Sequence, residues 1–399
     1  MVQLLLAVIY ICFISMGLPD SLLGSAWPTM GPLFGVPVSY AGIVSMIISL
    51  STVVSSLLSD RVTRRFGTGP VCAFSVCITA AGVFGFSFSR SFTALCLWAV
   101  PYGFGAGSLD AAINNYAAIH YESRHMSWLH SMWGVGAAVG PYIMGRALTS
   151  GAGWDSGYRL IGYTQVIMAF ILFMSLPLWK KGETKNEAPE RRSVKTDRSF
   201  GQLIRIPGVR EILFCFIFYC AVEQTSGLWG VSYLNLYKGI PAETAAGYGS
   251  MFFIGVTAGR MLSGFLLMKL TDRQMIRLGQ AVIALGLIIL LLPVGSTAAL
   301  AGLILVGLGC SPVYPCMVKI TPGCFGEDLS QTVVGLEGAC GYLGSTIMPP
   351  FFGWIAERAG IGLMPVFLML LLSGLFFSHE ILLKKVLSSG AADTGTGRD

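Results

Sequence analysis

Four acidic residues stand where lipid-facing chain should carry none. Asp20, Asp110, Glu223 and Glu337 each lie inside a long apolar, glycine-rich run; Asp20 is the one charge between Met1 and Ser59, and Asp110 the one charge between Phe92 and Ile119. A charge at the centre of a bilayer costs at least ~2.5–3.5 kcal/mol on the mildest scale, so such acids normally face a cavity and mark the path of an ion or polar solute. Asp110 and Asn114, four residues apart, share a helix face. A carboxyl left without a partner there favours its neutral form, as a proton carrier requires; the alternative is a structural aspartate bonded to a neighbouring helix. Asp20 follows Pro19, whose ring interrupts the helix and frees carbonyls near the acid. Trp27, seven residues on, lies on the same face. An acid beside an indole suits a sugar, the acid accepting from hydroxyls and the ring stacking on the apolar face. The alternative puts Asp20 in an outer gate and Trp27 in the interfacial aromatic belt. Glu223 and Gln224, ahead of Trp229, suit a hydroxylated ligand, unless Glu223 pairs with Arg260 as a lock between helices. Glu337 is either a ligand contact or a neutral or paired structural glutamate.

Twelve or so apolar spans must position these residues. The chain is 54% hydrophobic and 12% charged, against about 25% charged in soluble domains. Spans of ~20 mostly apolar residues are expected at roughly 3–30, 38–58, 68–88, 92–118, 128–148, 158–179, 211–236, 243–268, 275–294, 297–318, 330–354 and 362–383. The net charge of +6 follows the positive-inside rule rather than a nucleic-acid footprint. With the N-terminus in the cytoplasm, Arg61, Arg64, Arg65, Arg124, Lys180, Lys181, Arg205, Arg210, Lys269, Arg273, Arg277, Lys319, Lys384 and Lys385 fall inside; Arg90, Arg159, Lys238 and Arg358 fall outside. The ten cysteines show no metal-type spacing and lie mostly in apolar spans, so neither a metal site nor a disulfide framework is expected.

The polar, basic stretch Lys180–Arg210 reads as a cytoplasmic linker. It divides the chain into bundles at 1–179 and 211–385, with a disordered tail at 386–399. The halves echo each other. Asp20 precedes Gly24 by four residues, as Glu223 precedes Gly227; Gly103-x-Gly105 precedes Asp110, as Gly307-x-Gly309 precedes Tyr314; Trp133-Gly134 with Gly140 matches Glu337-Gly338 with Gly344. Parallel six-helix repeats are a known transporter plan. By this repeat Tyr314 stands where Asp110 does, to donate to a ligand or to pack in a helix interface. The G-x-G-x-G run at 103–107 follows no strand, and no G-x-x-x-x-G-K-[ST] occurs, so a nucleotide site is not expected.

The segment Ser56–Gly67, SLLSDRVTRRFG, resembles the loop signature of the major facilitator superfamily. Asp60, Arg61, Arg64 and Arg65 match it, while Ser56 and Thr63 replace its glycines. The acid and basic cluster read as a latch at helix ends, with Arg260 as a further gating residue; ordinary positive-inside charge is the plain alternative. A closer resemblance is to the fucose–galactose–glucose:proton symporter, or fucose-permease-like, branch. It is carried by Gly17-Leu-Pro-Asp20 through Trp27-Pro28, Gly103-x-Gly105-x-Gly107-x-x-Asp110-x-x-x-Asn114, His130-Ser-Met-Trp133-Gly, Glu223-Gln224 through Trp229-Gly, Gly255-x-x-x-Gly259-Arg260 and Gly307-x-Gly309-Cys-Ser-Pro312-Val-Tyr314-Pro315. Fucose permeases carry a glutamate in place of Asp110, and Glu223 and Glu337 add acids to the second half.

These readings converge on an all-α integral membrane protein with about twelve transmembrane helices in two pseudo-symmetric six-helix bundles. The expected function is secondary transport, not enzymatic catalysis: proton-coupled uptake of a sugar-like solute by a monomer in the cell membrane, with both termini cytoplasmic and no cofactor or nucleic acid. Asp110 and Asp20 are the proton-coupling candidates. Asp20, Trp27, Asn114, Glu223, Gln224, Trp229, Tyr314 and Glu337 are the substrate-binding candidates; Asp60, Arg61, Arg64, Arg65 and Arg260 are the gating ones. The many acids suit a neutral or cationic cargo. Proton-driven efflux of a drug or metabolite is the first alternative, and a non-transporting membrane sensor the second.

Overall fold

The structure, a computed structural model, describes residues 2–121, 123–183, 200–293 and 295–388. Positions 184–199 of the expected linker and 389–399 of the expected tail lie outside the described residues. The chain is helical: α1 (Val2–Asp20), α2 (Leu22–Leu33), α3 (Tyr40–Phe66), α4 (Thr68–Phe88), α5 (Phe92–His120), α6 (Ser123–Thr149), α7 (Trp154–Glu183), α8 (Phe200–Leu203), α9 (Val209–Leu236), α10 (Ala242–Leu266), α11 (Asp272–Leu291), α12 (Ser296–Cys310), α13 (Val313–Phe325), α14 (Glu327–Ala359) and α15 (Met364–Ser388). No strand occurs among the described residues.

Among the described residues, ten stretches are long and apolar enough to cross a membrane, α1–α2 forming one of them (Gln3–Leu33) and α12–α13 another (Ser296–Phe325). Helices α6 and α14, of 27 and 33 residues, are also long enough at 1.5 Å per residue to cover a ~30 Å hydrocarbon layer. They carry more polar residues, His125, His130 and Arg146 in α6 and Glu337, Glu357 and Arg358 in α14. Two crossings are broken. The first breaks at Ser21, directly after Pro19 and Asp20; the other breaks at Ser311–Pro312. Broken spanning helices are where transporters of several folds build their sites.

The chain divides into two compact units: Met1–Glu190 with Gly227–Ile254 and Pro349–Gly362, and Arg191–Ser226 with Gly255–Met348 and Leu363–Asp399. In the first unit α5 lies tightly along α3. A Cβ on Gly103 would collide with the Ile48 carbonyl, and one on Gly107 with that of Thr52. The approach is sealed by hydroxyls: Thr52 donates to the Gly103 carbonyl at 3.2 Å, Ser56 to that of Gly107 at 3.1 Å and Ser59 to that of Ser108 at 3.3 Å. The glycine run of α5 therefore serves backbone packing, the small-residue contact typical of spanning helices. Ser56, the departure from the loop signature, is one of the hydroxyls that seal it.

The same unit takes in the ends of α9 and α14 and the start of α10. A Cβ on Gly24 would lie 2.8 Å from the Gly227 carbonyl oxygen, so the two glycines that echo each other in sequence meet in space. Close by in the chain, the Trp229 indole donates to the Pro349 carbonyl at 2.8 Å, and Ser39 donates to Glu357 at 2.5 Å.

In the second unit α11 packs on α12, with a Cβ on Gly286 2.7 Å from the Gly302 carbonyl oxygen. Arg277 of α11 holds Glu380 of α15 through two bonds of 2.7 Å. Lys385 of α15 reaches Glu211 at the start of α9 at 2.8 Å.

Candidate functional site

The break after α1 makes the first centre. Residues 15–19 and 21–27 are all buried, and Asp20 between them is exposed, so its carboxylate opens onto space within the packed helices. Two neutral donors hold it. The Tyr102 phenol of α5 donates to Oδ1 at 2.5 Å, and the Trp133 indole of α6 donates to Oδ2 at 2.8 Å. Phe253 of α10 meets the Trp133 ring edge-on at 6.5 Å between centroids. The Tyr102 ring packs on Phe86 at 5.7 Å, which fixes the phenol's aim. The result is an acid with aromatic walls and no cation paired to it among the described residues.

One helix face further along α5, Asp110 is half-buried, and its Oδ1 accepts from Asn114 Nδ2 at 2.8 Å. The expected sharing of a face is thus a direct bond. It also means that Asp110 is not without a partner. The Oδ1 of Asn114 is buried without a hydrogen-bond partner among the described residues. Asp110 is close enough to Asp20 for their charges to interact, so the first unit gathers both expected proton-coupling acids.

The second unit holds a different set. Glu223 Oε1 lies 3.9 Å from an Arg260 guanidinium nitrogen, with side chains 15% and 22% exposed; of the two readings of Glu223, this is the lock between helices. Gln224 beside it is exposed. Tyr314 is 41% exposed and packs edge-on against Phe216 at 5.1 Å, with Tyr219 at 6.1 Å.

Three expected ligand contacts are placed elsewhere. Trp27 is 1% exposed, its N–H donating to the Val38 carbonyl at 3.0 Å and its ring lying against Gly31. It therefore presents no open ring face beside Asp20. Trp229 is fully buried and bonded to Pro349. In both halves the tryptophan after the acid pins a helix end instead of lining a cavity. Glu337 is also fully buried, hydrogen-bonded to Thr321 at 2.6 Å, and has no surface to offer a solute. Of the gating set, Asp60 pairs with Arg64 one turn on at 3.1 Å, the Arg65 guanidinium sits 5.4 Å from the Phe66 ring centre, and Arg61 is exposed.

Tyr102, Trp133 and Phe253 were missed from sequence as site residues. Trp133 had a signal, its place in the repeat opposite Glu337. Tyr102 had a weaker one, as the polar-tipped residue between Pro101 and Gly103 in an apolar span. Phe253 had none.

The sequence profile of the Major Facilitator Superfamily matches residues 9–349 and 212–390. Bypass of stop codon protein 6 of Saccharomyces cerevisiae is 22% identical over 92% of this chain and 80% of its own length. The cis,cis-muconate transport protein of Acinetobacter baylyi is 23% identical over 83% of this chain and 82% of its own. Among solved structures, a D-xylose-proton symporter superposes with a TM-score of 0.76 at 12% identity, covering 94% of this chain and 96% of that one. The chain belongs to the major facilitator superfamily and is a multi-pass secondary transporter, not an enzyme.

Proposed function

We propose that this member of the major facilitator superfamily takes up a small hydroxylated solute, a sugar or sugar derivative, together with protons. The observation that carries the reading is the Asp20 centre: an exposed carboxylate gripped by the neutral donors Tyr102 and Trp133 beside aromatic rings. A carboxylate with spare lone pairs accepts from hydroxyls, and ring faces suit the apolar side of a sugar. The motifs running through Asp20, Asp110, Glu223 and Tyr314 support placement in the fucose-permease-like branch. In this reading Asp110 carries the proton with Asp20 as second choice, and Asn114, Gln224 and Tyr314 contribute polar contacts. The bundles are 1–179 and 211–385, the linker 180–210 and the tail 386–399; the protein works as a monomer in the cell membrane with both termini cytoplasmic.

Asp110→Asn mimics the protonated side chain and cannot release a proton. In proteoliposomes it is expected to keep solute counterflow and to lose accumulation against a gradient. Wild-type accumulation by this variant moves the proton site to Asp20 or Glu223. A thermal-shift panel of sugars and metabolites identifies the solute, since a ligand at about 100 times its Kd stabilises by ~2.7 kcal/mol.

A second reading, an anionic cargo, is favoured by the length of the Arg260–Glu223 contact, 3.9 Å, which leaves room for a ligand carboxylate to replace Glu223 on the guanidinium. The relative named for cis,cis-muconate transport supports it. Stabilisation by dicarboxylates and not by sugars in the same panel would select this reading.

A further inference from the structure

We propose that Glu337 is a second proton-binding site, in the second half of the chain, which shares its proton with Thr321 and so ties α14 to α13. The argument starts from a count of hydrogens. The Thr321 hydroxyl lies 3.1 Å from the Met317 carbonyl, its own helix one turn back, and 2.6 Å from Glu337 Oε1. A hydroxyl has one proton to donate. If it goes to the Met317 carbonyl, the usual bond of a helical threonine, the contact with Glu337 needs a proton on the carboxyl, donated to Thr321 Oγ1. The chain of bonds then runs Glu337 to Thr321 to Met317 with every donor used once.

The surroundings decide against the other assignment, in which Thr321 donates to an ionised Glu337. Both side chains are fully buried. Glu337 Oε2 is buried with no hydrogen-bond partner, and Glu337 has no ion pair among the described residues. An ionised carboxylate would then hold its whole charge on one hydrogen bond, with no cation among the described residues to share it, and an uncompensated buried charge is far costlier than one unsatisfied neutral carbonyl oxygen. The titratable groups whose charge interacts with Glu337 are the thiols of Cys215 on α9 and Cys324 on α13, with Arg273 of α11 acting on Cys324. Neither thiol brings a positive charge. The site lies 10 residues inside α14, about 15 Å along the helix axis, and the proposal does not rest on the coupling role given to Asp110.

Infrared difference spectroscopy of the purified protein in detergent tests it without a transport assay. Wild type at neutral pH should show a carboxylic-acid carbonyl stretch that Glu337→Gln lacks and Asp110→Asn keeps. Thr321→Val should move that band to higher frequency, because the acid loses its hydrogen-bond partner. Identical carboxylic-acid regions in wild type and folded Glu337→Gln overturn the proposal. If Glu337→Gln does not fold, an unmoved band in Thr321→Val overturns it. Failure here leaves the Asp110 accumulation test standing, and failure of that test leaves this one.

Discussion

Asp20 and Glu223 hold corresponding places in the two halves, each four residues ahead of a glycine, and they are held in opposite ways. Asp20 is held by two neutral donors, a phenol and an indole. Glu223 faces a guanidinium. Neutral donors stabilise a carboxylate without cancelling its charge. The ion pair of Glu223 instead neutralises itself and fixes α9 to α10. The repeat thus places one acid on neutral donors and one beside a cation, although the surrounding sequence is the same kind of apolar, glycine-rich helix. The tryptophans that follow them behave alike in both halves, each pinned by its N–H to a backbone carbonyl. The asymmetry therefore lies in what reaches the acid from other helices.

The largest effect that separates the two acids should come from removing the carboxylate of the ion pair. Glu223→Leu leaves Arg260, 22% exposed, without its carboxylate. Removing one partner of a buried pair costs ~3–5 kcal/mol, and removing both is often neutral. At 3.9 Å the contact is long, so a loss near ~3 kcal/mol is expected, read as earlier thermal unfolding in detergent, with most of it recovered by Glu223→Leu combined with Arg260→Leu. A double variant as unstable as the single one would show that Arg260 holds the helices through other groups.

The difference between the halves also marks what sequence can reveal. The acids, the span pattern and the glycine repeats are signals written along one helix, where depth and period are read directly, and the helices and Asp110–Asn114 follow from them. The partners of those acids arrive from helices distant in sequence: Tyr102 stands 82 residues from Asp20, and Trp133 stands 113 away. No local period encodes such a meeting. Trp27 and Glu337 mislead for the same reason. A face shared along one helix says nothing of what packs over it, and both are covered.

Removing one donor at a time from Asp20 sharpens the comparison from the other side. Hydrogen bonds to charged groups are worth ~1.5–3 kcal/mol, so Tyr102→Phe and Trp133→Phe should each weaken the Asp20 centre by about that much. Once Asp20→Asn removes the charge, the further cost of Tyr102→Phe should fall to the ~0.5–1.5 kcal/mol of a neutral bond. A double-mutant cycle on thermal stability and solute affinity measures the coupling. Strict additivity would mean that the phenol and the carboxylate act separately, against the geometry.

Packing glycines give a smaller contrast. Gly107→Val drives a side chain into the Thr52 carbonyl, whereas Gly338→Ala meets open space. Overpacking costs ~1–3 kcal/mol, so the first should lower thermal stability and the second should leave it unchanged within error. Equal effects would mean that α3 and α5 can separate without loss.

The smallest expected stability change belongs to the Asp60–Arg64 pair, and there the comparison turns from structure to motion. The two side chains are 61% and 79% exposed and one helical turn apart. Helix pairs of this kind contribute ~0.3–0.5 kcal/mol, so Arg64→Gln should shift thermal unfolding barely at all. The plain reading of these charges, ordinary positive-inside residues, then predicts that transport is also unchanged. The latch reading predicts a changed rate with the fold intact, because a contact that breaks and re-forms during transport acts on the barrier between states, not on the stability of one. Initial uptake rate and thermal unfolding should be measured on the same preparation. A rate change well beyond what ~0.5 kcal/mol allows, roughly twofold, assigns the loop to gating. A rate within that bound leaves Asp60 and Arg64 as surface charge.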